Sequence, residues 1–268
     1  MIISNLVAGL GTSSLTAHTV LNRDIDRYRQ IMREDPAIKR ETDYIRENIG
    51  TKASIDEVTD DYRLWQSITT AFGLEDQAYA KAMLKKVIRE GATDREAMAN
   101  QMVDPRYKEL ASFFEYDKLG MLNAQSPKWV DKLVEKYETA QFEKAVGESN
   151  ENLRLAMYFE RKVKSVKSWY QILGDKAMYQ VALKMGGLPK EYAQVDIDKQ
   201  AEYFKDKLPL EDLKDPKKLE KLLQSFLARA DAEDNSAMAN PTVQIMQSAT
   251  NTGFSPIVSI DPTLFLKL

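Results

Sequence analysis

The residues of this chain that could do chemistry are one histidine, His18, several paired carboxylates and one basic run. With a lone histidine and no cysteine, thiolate nucleophiles, Cys/His metal sites and disulfides are all excluded. A Ser-His-Asp hydrolase would have to recruit His18, which lies in a polar N-terminal stretch, and no G-x-S-x-G turn occurs anywhere. His18 therefore reads as an ordinary helix-start residue. Gly9 and Gly11 lack the preceding strand and third glycine of a dinucleotide cradle, and no phosphate-binding G-x-x-x-x-G-K-[ST] run is found. No cofactor or metal is expected.

The carboxylate pairs Asp24 and Asp26, Asp60 and Asp61, Glu75 and Asp76, and Asp196 and Asp198 fall mostly at helix starts. There an acidic side chain offsets the helix dipole and bonds orphan amides, so capping is the expected role rather than acid/base catalysis. DIDKQAEYFKD, from Asp196, opens like a calcium loop but lacks its central glycine and terminal glutamate. The run RKVKSVK from Arg161 to Lys167 reads as a solvated helix end, where cations are favoured. Trp65, Trp129, Trp169 and the tyrosines lie at core-compatible steps and are assigned to packing.

These residues sit on a chain of 268 residues with 38 Lys and Arg against 41 Asp and Glu, a formal charge of -3. So even a balance does not recruit nucleic acid or anionic lipid, and 43% hydrophobic residues can supply a real core. The apolar patch near the N-terminus has no basic residue before it, so no cleavable signal peptide is expected. Charges interrupt every apolar run after residue 22, so no membrane span of roughly 18 residues is expected either.

The punctuation throughout is that of helices. Leu15, Leu21, Ile25, Tyr28 and Met32 form one amphipathic stripe. Asp35-Pro36, Asp104-Pro105 and Asp215-Pro216 each read as an N-cap followed by the first helical residue. Ser54 with Glu57, and Thr93 with Glu96, have the spacing of a capping box. A helix is predicted over 75–90 with Tyr79, Met83, Val87 and Ile88 inward, ending at Gly91. No alternating β-branched run competes before residue 255. The predicted fold class is all-α, a multi-helix bundle.

Displacing the sequence onto itself so that Ser54 meets Ser168 also aligns Asp61 with Asp175, Gln66 with Gln180, Gly73 with Gly187 and Leu74 with Leu188. The reading is two similar helical halves. The predicted organisation is a flexible leader over 1–14, a first half over 15–118, a linker over 119–126, a second half over 127–230, and a poorly structured tail over 231–268. The tail is polar and broken by prolines, yet ends in Phe254, Ile257, Val258, Ile260, Leu264, Phe265 and Leu266. Such a terminus either folds back on the helical body or docks on a partner. Phe254, Ile257, Val258, Leu264, Phe265 and Leu266 are the candidate partner-binding residues.

Several blocks resemble a known family: YIRENIG (44–50), DDYRLWQSITTAFGLEDQAYAKAMLKKVIREGATD (60–94), DPRYKEL (104–110), QFEKAVGESNENLRLAMYFERK (141–162), SWYQILGDKAMYQVALKMGGLP (168–189), DIDKQAEYFKDKL (196–208) and DLKDPKKLEKLLQSF (212–226). They are similar to the bacterial domain of unknown function 1217, from about Ser13 to Arg229. That family is mostly alphaproteobacterial and often encoded in flagellar gene clusters. The resemblance implies an all-helical fold and a flagellum-linked role, and it carries no catalytic residues. The functional expectation is a non-enzymatic helical interaction protein for flagellar assembly or motility, binding protein partners that include flagellar components. The alternatives are a cytoplasmic chaperone-like adaptor for flagellar export substrates and a carboxylate-based hydrolase. The expected location is the cytoplasm or, after export, the flagellum and its basal body.

Overall fold

The computed structural model describes residues 2–10 and 13–238, and among them every regular element is a helix. In chain order these are α1 (Ile2–Ala8), α2 (Ser14–Arg23), α3 (Ile25–Arg33), α4 (Pro36–Asn48), α5 (Ile55–Asp60), α6 (Tyr62–Ala71), α7 (Lys81–Glu90), α8 (Met98–Gln101) and α9 (Pro105–Phe114). There follow α10 (Tyr116–Leu119), α11 (Pro127–Ser149), α12 (Glu151–Val163), α13 (Trp169–Gly174), α14 (Lys176–Gly186), α15 (Ile197–Lys207), α16 (Leu210–Lys214) and α17 (Pro216–Met238). The fold is an all-α multi-helix bundle. Among the described residues, no helix is long and apolar enough to cross a membrane.

The caps form where the side chains dictate. Asp35 accepts the Ala37 N–H at 2.9 Å, Asp104 that of Arg106 at 2.9 Å, and Asp215 those of Lys217 and Lys218 at 2.9 and 3.0 Å. Ser54 accepts the Glu57 N–H while Glu57 accepts that of Ala53, one residue outside the reciprocal partner of a strict capping box. Thr93 and Glu96 behave differently. They lie in a turn in which Asp94 takes the Glu96 N–H, and the next helix begins only at Met98.

Three apolar clusters fill the bundle. The first joins α4 to α9 with the start of α11, around Trp65, Phe114 and Trp129. The second joins α12 to α17, with Trp169 stacked on Phe204 at 4.8 Å. The third lies between α1, α2, α3 and the joint of α11 with α12. The predicted leader 1–14 is thus built into the structure at least in part, because Ile3 and Val7 of α1 are buried in the third cluster. His18, in α2, is buried as well, with Nε2 3.0 Å from the Asn22 amide.

The stretch 119–126 is a break in periodicity but not in packing. Met121 and Ala124 plug the first core, and Trp129 to Tyr137 of α11 belong to it too. The 23 residues of α11 extend about 35 Å, enough to leave one core and enter the next.

The two-half pattern has a local counterpart. Ser54 precedes α5 and Ser168 precedes α13 in nearly the same extended backbone, φ/ψ −145/161 and −151/156. Asp61 then caps α6, and Asp175 caps α14. Each of these second helices ends in a glycine at φ 68, Gly73 and Gly187, a left-handed value that other residues adopt at a cost. After it, Leu74 donates to the Thr69 carbonyl at 2.7 Å and Leu188 to that of Leu183 at 2.9 Å. In each half an arginine from a later helix closes the turn: Arg106 bonds the Gly73 carbonyl, and Arg229 that of Lys184. Residues 239–268, most of the predicted tail, lie outside the described residues.

Candidate functional site

A cleft of about 680 Å³ lies where the two halves meet. Its floor is the α11–α12 hairpin; one wall is the end of α6 with Arg106 of α9, and the other is the first turn of α14. Asp175 stands at that turn with a carboxylate occupied on both oxygens. Oδ1 accepts the Ala177 and Met178 N–H groups at 3.0 and 3.1 Å, and Oδ2 accepts the Tyr158 hydroxyl at 2.7 Å. Burial, and then the charge of Asp175, push the Tyr158 phenol well above its ordinary value, so it stays a neutral donor.

The cations around Tyr158 are paired in the same way. Arg161 meets Glu143 through two parallel bonds of 2.7 and 2.8 Å, and Arg154 meets Glu151 through two more. Arg106 is forked onto Asp104. Behind the cleft, Glu109 of α9 accepts from Lys136 of α11 at 2.6 Å and from Lys162 of α12. Burial alone would raise the Glu109 carboxyl, but the charges of Lys162 and Lys136 outweigh it and hold it down at about 2. Asp56, Asp61 and Glu160 are also held below the ordinary carboxylate range. Lys85 donates to Asp56, the Leu64 N–H donates to Asp61 with Lys52 3.0 Å away, and His18 stands 3.9 Å from Glu160. Among the described residues, no group of three or more acidic or histidine side chains is placed to hold a metal ion.

The basic run Arg161 to Lys167 is therefore not simply solvated. Lys164 and Lys167 are exposed, but Arg161 and Lys162 face inward because α12 is packed between α11 and α9 at that turn. Of the carboxylates expected at helix starts, Asp61 and Asp196 cap α6 and α15, whereas Asp24 stands before α3 without accepting a cap bond.

A second feature lies on the outer face of the first half. Tyr62 at the start of α6 and Tyr79 ahead of α7 are 71% and 80% exposed. The Trp65 indole donates to the Ala78 carbonyl at 2.8 Å and Lys81 to that of Thr59 at 2.6 Å. These two ties lay the segment carrying Tyr79 alongside the start of α6, where Tyr62 stands. The predicted helix over 75–90 begins only at Lys81, so Tyr79 is outward rather than inward. Its buried stripe is Leu84, Val87 and Ile88, and Tyr79 stands five residues before Leu84, off that face. Trp65, Trp129 and Trp169 are buried, as expected of packing residues. The tail positions Phe254, Ile257, Val258, Leu264, Phe265 and Leu266 lie outside the described residues.

The family model described as "Protein of unknown function (DUF1217)" matches residues 71–219. Among solved structures, the crystal structure of protein AGR_C_984 from Agrobacterium tumefaciens is similar at 37% identity and a TM-score of 0.75, covering 86% of this chain and 95% of that one. No curated protein matches the chain.

Proposed function

We propose that this chain, which belongs to the DUF1217 family, is a non-enzymatic helical protein that binds protein partners in flagellar assembly or motility. The observation that carries the binding reading is the exposure of Tyr62 and Tyr79, two large amphipathic rings on segments that the Trp65–Ala78 and Lys81–Thr59 bonds tie together. Tyrosine is enriched at the hot spots of protein interfaces, where it contributes broad contact with few rotatable bonds. The non-enzymatic reading is supported by the sense of the acid shifts. A general acid needs a carboxyl raised toward neutrality, and Asp56, Asp61, Glu109 and Glu160 are displaced the other way. The apolar residues Phe254, Ile257, Val258, Leu264, Phe265 and Leu266 form a second contact for the partner in this proposal. The flagellar link rests on resemblance to a family found in flagellar gene clusters, with the cytoplasm or the basal body as the proposed location.

The test is a strain carrying Tyr62→Ser and Tyr79→Ser together, compared with wild type and with a clean deletion. Reduced swimming in both altered strains, with normal levels and thermal stability of the double variant, is the expected result. Wild-type swimming in the deletion strain overturns the flagellar role, and full function of the double variant overturns the assignment of the tyrosine face. Blocking flagellar export and following the protein by fractionation separates cytoplasmic from exported action.

A further inference from the structure

A second concavity, of about 360 Å³, lies behind the cleft and shares Arg161, Lys162 and Asp175 with it as lining. The start of α9, with Lys108 and Glu109, forms one side, and the end of α12 with Gln171 of α13 forms the other. Its volume falls at the small end of the roughly 300–1,000 Å³ of ligand pockets.

The polar groups of this pocket that are already occupied include every acceptor of negative charge. Glu109 accepts Lys136 on one oxygen and Lys162 on the other. Asp175 accepts two backbone N–H groups on Oδ1 and the Tyr158 hydroxyl on Oδ2. Arg161 is held by Glu143 through two bonds. The groups left open are donors. Lys108 is exposed and pairs with no carboxylate among the described residues. Lys162, with 16% of its side chain exposed, gives Glu109 one of its three N–H groups. Gln171 is oriented by the backbone: the Lys167 N–H donates to its Oε1 at 2.7 Å, which leaves the NH2 end of the amide without a protein acceptor. The Glu109 bridge sets one carboxylate against two lysines, and Lys108 adds a further positive charge from the neighbouring position of α9.

A cation entering here would meet like charge, and a neutral guest would forgo the charge-assisted bonds that two ammonium groups offer. The three open donors come from three helices, α9, α12 and α13, which suits a tetrahedral oxyanion better than a planar carboxylate. We propose that this pocket binds a phosphate dianion, free or as a small monoester, with Lys108, Lys162 and the Gln171 amide donating to its oxygens. The site draws on the basic run 161–167 through Lys162 and through the Lys167 backbone that sets Gln171, and it leaves the guanidinium pairs of the cleft intact. A bound anion joins α9 of the first half to α12 and α13 of the second, so its binding raises the temperature of unfolding.

The test is isothermal titration of the full-length chain with inorganic phosphate and, separately, with glycerol 2-phosphate, at neutral pH and at an ionic strength held constant with sodium chloride. Saturable binding is expected, weakened about tenfold by Lys108→Gln and by Gln171→Leu, and unchanged by Lys199→Gln, which alters an exposed lysine of α15. Thermal unfolding in chloride alone verifies that each variant is folded, and Lys108→Gln, at an exposed position, carries the test if Gln171→Leu is not. Tighter binding of glycerol 2-phosphate assigns a monoester, and tighter binding of inorganic phosphate assigns the free ion. No saturable binding of either, an affinity indifferent to Lys108→Gln, or an equal loss in Lys199→Gln overturns the inference.

Discussion

Replacing Glu109 by glutamine removes one charge and almost no volume, and so isolates the bridge that fastens α9 to both α11 and α12. The displacement of this carboxyl from 4.5 to about 2 corresponds to ~3 kcal/mol of native-state preference for the anion. With 31% of the side chain exposed, solvent screening reduces that to about 1–2 kcal/mol. The Glu109→Gln variant also leaves Lys136 and Lys162 facing each other without their anion, which adds to the loss, so a deficit of about 2–3 kcal/mol is predicted at neutral pH. The sign of the pH dependence follows from the direction of the shift. The native pKa is depressed, so the contribution is complete above about 4.5 and is lost as pH falls from there toward 2. By pH 3 roughly half or less of it remains. Urea denaturation of both proteins from pH 7 down to pH 3 measures the gap directly. It should be largest at neutral pH and narrow by about half at the acid end. A gap of constant size across that range, or none at pH 7, refutes the reasoning.

Gly174→Ala is predicted to destabilise by about 1–3 kcal/mol in thermal unfolding, because its Cβ would strike the backbone carbonyl of Val103 and stand 2.8 Å from Val103 Cγ1, across the seam between the halves. Tyr158→Phe should cost about 1–2 kcal/mol by urea denaturation, since it strips Asp175 Oδ2 of its donor while the α14 cap on Oδ1 survives. The two aligned serines should differ. Ser54→Ala is expected to lose about 1 kcal/mol and Ser168→Ala much less, because only Ser54 accepts a cap bond from its own helix.

Helix starts were legible because their cause is local. An aspartate before a proline caps the next turn whatever surrounds it, and Asp35, Asp104 and Asp215 all do so. The pairing of Asp61 with Asp175, and of Gly73 with Gly187, was legible for the same reason: each is one side chain or one φ value acting within its own turn. The 75–90 stretch was misread because it offers two apolar stripes, one through Tyr79, Met83 and Val87, the other through Leu84, Val87 and Ile88, and only tertiary packing chooses between them. The cleft could not be read at all, since its walls come from α6, α9, α11, α12 and α14, and no spacing along the chain encodes their meeting. The N-terminal stretch reads as a flexible leader from its Ser, Thr, Asn and Gly, yet Ile3 and Val7 are four residues apart, which suffices once a groove is waiting.

The run of α12 from Tyr158 to Lys162 makes the cleft a joint, and the docking face proposed at Tyr62 and Tyr79 takes no part in it. Within less than two turns this helix bonds α14 through Tyr158, α11 through Arg161 and α9 through Lys162. The three guanidiniums of the cleft are already held by Glu143, Glu151 and Asp104 through paired, charge-assisted bonds, so an anion that sought one of them would have to displace a carboxylate. Removing one member of such a partly buried pair strands the other, so the charges that make the cleft conspicuous also oppose a newcomer. Tyr62 and Tyr79 face no such competition. Neither ring is covered, and the ties that place them run through Trp65 and Lys81, so a partner can bury both without breaking a bond the fold depends on.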